Sequence, residues 1–492
     1  MNNPPMPFPA QKTKIVATIG PASDSPETLR RMMLAGLDVA RLNFSHGDAA
    51  YHSELIGRIR DAARATDTRV AILGDLPGPK MRIGELAEEP IELHPDQTIT
   101  LTTEDCIGDA SRVSVSFAGL PEAVQPGDAL FLNDGFIELE VVTVERSEVI
   151  CRVHTGGELR SRKGLNLPGI DLGIRAFTTE DHQWLRFAAE HGVDAVSQSF
   201  VVDGDDILAV RKAAEALDYA PFIIAKIERA AALEQLDSIL EAADGIMVAR
   251  GDLGVEIPIA RIALAQRRIT RRANRHNRPV ITATQMLESM VASRRPTRAE
   301  ATDVANAILG GTDCVMLSAE SAMGLYPVEA VAMLVAIARS IEPERDGGIT
   351  TDGPDDPDEA GLDRAVDLIA RSVLHTAQRR LPRVTLAPTA SGATARRIAR
   401  LRLPCWIAAF TPNPATAQGL QFSYGVHPVD VAEDRADWND FVRQWLTEHG
   451  IDDGLALLVQ GPSGPHPTGN HRLELLELDR PRQTYANAPK HP

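Results

Sequence analysis

Between residues 222 and 320, short apolar runs end again and again in small polar clusters. Phe222-Ile223-Ile224-Ala225 gives way to Lys226-Ile227-Glu228, and Gly245-Ile246-Met247-Val248 to Ala249-Arg250-Gly251-Asp252. Val280-Ile281 leads into Thr282-Ala283-Thr284-Gln285, and Cys314-Val315-Met316-Leu317 into Ser318-Ala319-Glu320. The segments between carry helical spacing. Pro258 stands at a favoured first-turn position ahead of Ile259, Ile262, Leu264 and Ile269, and Thr297 with Glu300 reads as a capping box. Apolar strands alternating with such helices predict a parallel sheet covered on both faces, with its chemistry at the carboxyl ends of the strands. Those ends hold a lysine, two carboxylates, a threonine and a serine–glutamate pair, a set that reads as an active site.

The same rhythm begins upstream. Strands start near residues 14, 38 and 70; one helix between them opens at Ser25-Pro26-Glu27 and is closed by Gly36, and another covers roughly 49–65. The second strand runs into Arg41-Leu42-Asn43-Phe44-Ser45-His46-Gly47, and the third ends in Gly74-Asp75-Leu76-Pro77-Gly78-Pro79-Lys80. From about 82 to 172 the pattern changes to short strands at 98–101, 113–115, 129–132 and 137–144, with turns at Pro126-Gly127-Asp128 and Asn133-Asp134-Gly135. A helix after Thr178 and a strand at 193–196 then restore the α/β alternation. Strands near 14, 38, 70, 194, 222, 245, 280 and 314 make eight, the number that closes a barrel. Residues rich in Asp, Gly and Pro follow, and beyond them a helix over 363–380 and strands at 384–386, 405–410 and 455–460 predict a smaller open α/β sheet. The predicted organisation is thus α/β: a disordered lead (1–10), a (β/α)8 TIM barrel (11–78 and 173–341), an inserted small all-β barrel domain (79–172), a linker (342–359) and a C-terminal open α/β domain (360–492).

Composition narrows the function classes. A chain of 492 residues is long enough for two to four domains. A net charge of −17 argues against nucleic acid as a partner, and the runs Arg267-Arg268 and Arg396-Arg397 read as solvated helix faces. Cys106, Cys151, Cys314 and Cys405 are not spaced as metal ligands, and residues 2–9 lack the basic and apolar regions of a targeting signal. No apolar run reaches membrane-spanning length. Reduced thiols, a cytoplasmic location and no membrane partner are the expectation.

On the stretches 13–23, 41–47, 163–169, 225–228, 244–257, 281–290, 295–300 and 315–320, the chain resembles the pyruvate kinase family over nearly its whole length. Val248-Ala249-Arg250-Gly251-Asp252-Leu253-Gly254-Val255-Glu256 together with Thr282-Ala283-Thr284-Gln285-Met286-Leu287 carries most of the resemblance. It implies phosphoryl transfer from phosphoenolpyruvate to ADP, giving pyruvate and ATP. It also implies a divalent cation, magnesium or manganese, on Glu228 and Asp252, and a homotetramer. Lys226 would neutralise the phosphoryl oxygens and then the pyruvate enolate. Gly251, Asp252 and Thr284 would hold the substrate, with Thr284 near the enolate face and Ser318 and Glu320 extending its proton path. Arg41, Arg82 and Lys163 would face phosphates, Lys163 reaching in from a closing β lid, and Asn43 and His46 would lie with the nucleotide.

Taken singly, these residues have plainer explanations. Lys226 and Glu228 could be a structural ion pair at a barrel rim, Asp252 a helix cap, Thr284 and Ser318 turn residues, and Lys163 a solvated loop lysine. Their coincidence on successive strand ends argues for chemistry. One position departs from the family. Asn43, Ser45 and Asp75 match its monovalent-cation site, but Lys80 stands where potassium-dependent members carry glutamate, so its ammonium could supply that charge without potassium. Thr389, Ser391 and Thr394, around a glycine that opens a helix, resemble the family's loop for the phosphate of an allosteric effector, though a plain capped helix start reads as well. Two other classes remain: a magnesium-dependent lyase or aldolase acting on pyruvate enolate, and a silent metabolite sensor.

Overall fold

The computed structural model describes residues 8–170, 173–345, 365–435, 437–462 and 470–478. Two compact units emerge, one from Ile15 to Met333 and the other from the described residues up to Lys14 and from Leu334 onward. In the first, strands β1 (Lys14–Thr18), β2 (Val39–Asn43) and β3 (Ala71–Leu76) lead into an all-β excursion. It comprises β4 (Ile91–Leu93), β5 (Thr98–Thr102), β6 (Arg112–Ser114), β7 (Ala129–Leu132), β8 (Ile137–Glu145), β9 (Glu148–Thr155), β10 (Gly157–Leu159) and β11 (Leu165–Asn166). Strands β12 (Ala195–Gln198), β13 (Phe222–Ile227), β14 (Gly245–Ala249), β15 (Val280–Ala283) and β16 (Cys314–Leu317) then complete a closed barrel in the order β1-β16-β15-β14-β13-β12-β3-β2. All eight expected barrel strands are present. Every residue of β1, β3, β12, β14, β15 and β16 is buried, as parallel strands covered on both faces must be.

Local chemistry explains the helix starts. Ser25 accepts the Thr28 N–H at the head of Pro26–Ala35, and Gly36, at φ 113°, supplies the left-handed stop. Thr178 with Asp181 and Thr297 with Glu300 form reciprocal capping boxes. Pro258 behaves differently from expectation. It precedes a 3-10 turn, Ile259–Arg261, and the helix proper runs Ile262–Arg275, which leaves Ile259 and Leu264 exposed. The third strand also continues through Gly74 and Asp75 to Leu76, so Asp75 lies inside the sheet.

The insert pairs its strands in the order β11-β7-β8-β9-β5-β6, with β10 and β4 as a separate pair, around one apolar core that includes Ile99, Leu101, Leu130, Leu139 and Val153. Asn133, Asp134 and Gly135 all take positive φ in the turn that joins β7 to β8. The second unit carries the sheet β19-β18-β17-β20-β21, formed by β17 (Val384–Pro388), β18 (Trp406–Thr411), β19 (Val426–Asp430), β20 (Leu455–Gln460) and β21 (Arg472–Glu477). Strand β21 runs antiparallel to β20 at one edge. Most of the expected lead and linker, the first residues of the expected 363–380 helix and the end of the tail lie outside the described residues.

Two glycines in the barrel unit make opposite predictions. A Cβ on Gly74 would fall 2.6 Å from the Phe44 ring, which is itself stacked on Trp184. Gly74→Ala is expected to lower stability by about 1–3 kcal/mol. Gly57, exposed in the helix Ala49–Thr66, would meet nothing within 4 Å, so Gly57→Ala should raise stability by about 0.5–1 kcal/mol. Urea unfolding separates the two, and equal effects would disprove the packing argument.

Candidate active site

Four neighbouring strands deliver polar side chains, three of them charged, to one end of the barrel. Arg41 comes from β2, Asp75 from β3, Ser197 from β12 and Lys226 from β13, with Asn43↔Asp75 and Ser197↔Asp75 as register partners. Asp75 is the shared acceptor. Its Oδ2 takes Arg41 Nε at 3.0 Å and also Arg41 Nη2, while its Oδ1 takes Ser197 Oγ at 2.6 Å and lies 3.4 Å from Lys226 Nζ. Lys226 Nζ also lies 2.9 Å from Glu228 Oε1 and donates to Ser199 Oγ at 2.7 Å. Arg41 Nη1 donates to Thr18 Oγ1, whose own O–H donates to the Leu317 carbonyl and ties β1 to β16.

Burial and charge oppose one another here, and charge prevails at two of the three groups. Burial would raise Asp75, but Lys226 and Arg41 hold it at about 2. Burial would strip the proton from Lys226, but Asp75 and Glu228 outweigh it and lift its pKa above the ordinary lysine value, so the ammonium stays charged. Glu228 goes the other way. Burial raises it, Lys226 opposes, and the Asp252 carboxylate adds to the rise. Two carboxylates at one rim, flanked by a single ammonium, suit a hard divalent cation that draws its remaining ligands from substrate and water. Among the described residues Asp252 has no hydrogen-bond or ion-pair partner and no group of three or more His, Cys, Asp or Glu side chains converges. Asp252 is not the helix cap: Ala249 occupies that position ahead of Arg250–Glu256.

These groups line a cleft of about 610 Å³, together with Asn43, Ser45, His46, Lys80, Arg82, Thr284 and Ser318. Burial lowers the His46 pKa first, and the Arg82, Lys80 and Arg41 charges lower it further, which marks a cationic mouth. Lys80 makes no ion pair among the described residues. Thr284 sits at φ 67° and Gln285 at φ 51°, a left-handed pair that costs on the order of 1–3 kcal/mol per residue. Gly251 donates its N–H to Thr284 Oγ1 at 2.8 Å. A Cβ on Gly251 or Gly254 would meet only ordinary contacts with the rest of the chain.

Three expected residues lie behind or beside the lining. Glu320 is fully buried, and its carboxylate accepts the Leu287 N–H at 3.0 Å and the Ser318 N–H at 2.6 Å. Gly251, which donates to Thr284, and Lys163, in the insert, are not among the residues that line the cleft. In the second unit Thr389 is buried and Ser391 exposed, and Gly392 at φ 80° leads a seven-residue helix, Ala393–Ala399. Thr394 lines a separate recess of about 290 Å³ with Arg397, Gln460 and His471. Arg396 and Arg397 are not a free solvated face, since Arg396 donates to the Ser391 carbonyl and Arg397 pairs with Asp367. Ser197, Ser199, Thr18 and Arg250 went unread in the sequence. Only the strand register, which places them beside charged neighbours, would have found them.

Replacing Asp75 with Asn would leave Arg41 and Lys226 buried without their common counter-charge. Such a loss costs about 3–5 kcal/mol, and urea unfolding at pH 7 reads it. Because the folded Asp75 value lies below that of an unfolded aspartate, its carboxylate stabilises the fold above roughly pH 4, and this contribution is lost as pH falls toward 2. The stability gap between the unaltered protein and Asp75→Asn should hold from pH 7 to about 4 and narrow below that. A gap that widens in acid would refute the assignment.

A family model described as pyruvate kinase, barrel domain, matches residues 10–331, and one described as pyruvate kinase, alpha/beta domain, matches residues 367–462. The pyruvate kinase of Thermococcus litoralis is 46% identical over 479 residues, spanning 96% of this chain and 100% of that protein. That of Corynebacterium glutamicum is 39% identical over 474 residues, spanning 95% and 98%. A crystal structure of a pyruvate kinase from Cryptosporidium parvum matches with a TM-score of 0.84 at 33% identity, covering 95% of this chain and 96% of that one. Sequence, domain models and fold agree along almost the full length, and the chain belongs to the pyruvate kinase family.

Proposed function

We propose that this chain transfers the phosphoryl group of phosphoenolpyruvate to ADP, giving pyruvate and ATP. The carrying observation is the Lys226 ammonium, kept charged at a strand end beside the Glu228 and Asp252 carboxylates. In this reading the bond from phosphorus to the enol oxygen breaks as a terminal oxygen of ADP bonds to phosphorus, and the enolate left behind takes a proton at its methylene carbon. Lys226 and Arg41 offset the phosphoryl charge, and Lys226 stays to hold the enolate oxygen. Gly251 N–H, now on the Thr284 hydroxyl, would turn to the substrate carboxylate. That frees Thr284 to serve the enolate face, with Ser318 and then Glu320 behind it.

Glu228 and Asp252 would hold magnesium or manganese, which supplies charge neutralisation for the phosphoryl oxygens when bound. Asn43, His46, Arg82 and Lys163 would contact the nucleotide, the last two from the insert (79–172), which we read as a lid that excludes water. Lys80 and Arg82 already enter the cleft lining, which favours a lidded kinase over a bare barrel lyase. Asn43, Ser45 and Asp75 would form at most an optional monovalent site, since Asp75 is already shared by Arg41, Ser197 and Lys226. The unpaired Lys80 ammonium supports turnover without potassium. The same reading includes a cytoplasmic homotetramer and an effector phosphate at Thr389, Ser391 and Thr394.

Pyruvate formation from phosphoenolpyruvate, ADP and magnesium, with and without potassium, tests these points together. Unaltered protein should turn over in either condition, Lys226→Met should lose at least about 10²-fold in kcat, and Lys80→Glu should acquire a potassium requirement. Many-fold activation of the unaltered protein by potassium would discard the Lys80 reading alone. No pyruvate under any condition would discard the reaction.

A further inference from the structure

We infer that Arg250 is a positioning residue for Thr284, and that Asp303 aims Arg250 in turn. The inference rests on the proposed role of Thr284 at the enolate. Strands β14 and β15 pair with Ala249 opposite Ala283, so the residues that follow, Arg250 and Thr284, leave the barrel side by side. Thr284 and Gln285 then adopt successive left-handed conformations, which a β-branched residue followed by a glutamine does not take unaided. Their carbonyls are turned aside by that conformation, and the Arg250 guanidinium collects them. Nε donates to the Ala283 carbonyl at 3.2 Å, and Nη2 to those of Thr284 at 2.6 Å and Gln285 at 3.3 Å.

The remaining side of the fork is anchored. Nη1 meets Asp303 Oδ2 at 2.5 Å, and the Arg250 side chain is only 9% exposed. Asp303 rides on the helix Arg298–Leu309, whose capping glutamate, Glu300, also accepts the Ser289 N–H and hydroxyl. One helix therefore braces both the arginine, through Asp303, and the segment after Thr284, through Glu300. From the other side Gly251 N–H holds the Thr284 hydroxyl at 2.8 Å, so consecutive residues 250 and 251 grip the backbone and the side chain of one threonine. A lysine at 250 would keep the charge but offer a single point in place of a planar fork that spans three carbonyls.

The experiment measures steady-state turnover of phosphoenolpyruvate with ADP and magnesium, in light and heavy water, for Arg250→Lys, Asp303→Asn, Thr284→Ala and the double variant Arg250→Lys/Thr284→Ala. Arg250→Lys should lower kcat by about 10- to 100-fold, with KM for phosphoenolpyruvate little changed and a larger solvent isotope effect on kcat, because the proton step has slowed. Asp303→Asn should move the same quantities less far. In the Thr284→Ala background, Arg250→Lys should add less than about a twofold loss, since its effect passes through the missing hydroxyl.

Losses that multiply in the double variant, or a change in KM alone, would overturn the inference, as would failure of both single variants to fold. If Arg250→Lys alone fails to fold, Asp303→Asn and its combination with Thr284→Ala carry the same comparison. Unaltered protein that forms no pyruvate strikes the proposed function, whereas active unaltered protein with an indifferent Arg250→Lys strikes only the role of Arg250.

Discussion

Arg41 and Lys226 bring like charge into the buried floor of one barrel, and the Asp75 carboxylate touches both. Two cations so close would each favour losing their place to water, and neither strand end could stay packed without an anion between them. Asp75 can serve because β3 continues past Gly74 and carries it into the sheet, where Ser197 completes its hydrogen bonding. Strand register, burial and charge thus depend on one another. Shifting any of β2, β3, β12 or β13 by one residue would turn a member of the network to the opposite face. The floor is consequently held by paired charge, while the mouth keeps Lys80 and Asp252 without partners among the described residues. The cleft thus combines paired charge on its floor with one cation and one carboxylate left unpaired above it.

Much of this was legible in the residues themselves. Strands of apolar residues ending in polar clusters located all eight barrel elements, and the helix starts expected at Ser25, after Thr178 and at Thr297 are found there. Lys226, Glu228, Asp252 and Thr284 announced themselves as polar groups on successive strand ends. The rest was hidden for physical reasons. Strand β9 alternates as well as any, but Glu148–Thr155 lies just two residues past β8 and merges with it in the pattern. Strand β21 carries Leu473, Leu475 and Leu476, but only Leu476 is buried and charged residues interrupt the run, so its pattern is short and mixed. Pro258 carried a true start signal, yet three residues of 3-10 turn intervene before the helix.

Contacts made through carbonyls are harder still. Nothing in the string Ala-Arg-Gly-Asp says that its arginine will bend across to the next strand end, because backbone acceptors leave no mark in composition. Likewise Glu320 reads as a site carboxylate from its position beside Ser318, although its oxygens are spent on two backbone N–H groups. Position along the chain located the neighbourhood of the chemistry. Which atoms face the cleft was decided by register and by local turns.

The closure of the barrel between its first and last strands bears on how the chain comes to be built. Strand β1 is hydrogen-bonded into place beside β16, and Thr18 reaches the Leu317 carbonyl across 299 positions of sequence. During synthesis the amino-terminal strand must therefore wait, one edge unpaired, until nearly two-thirds of the polypeptide has emerged. The β insert faces no such delay. Its apolar core draws on residues from Met81 to Leu167 and can form while most of the barrel is still untranslated. A folded module held between β3 and β12 would keep the early strands apart from the later ones and shorten the effective loop that β12 must close. The insert between β3 and β12 would then also serve as a scaffold for the assembly of the barrel.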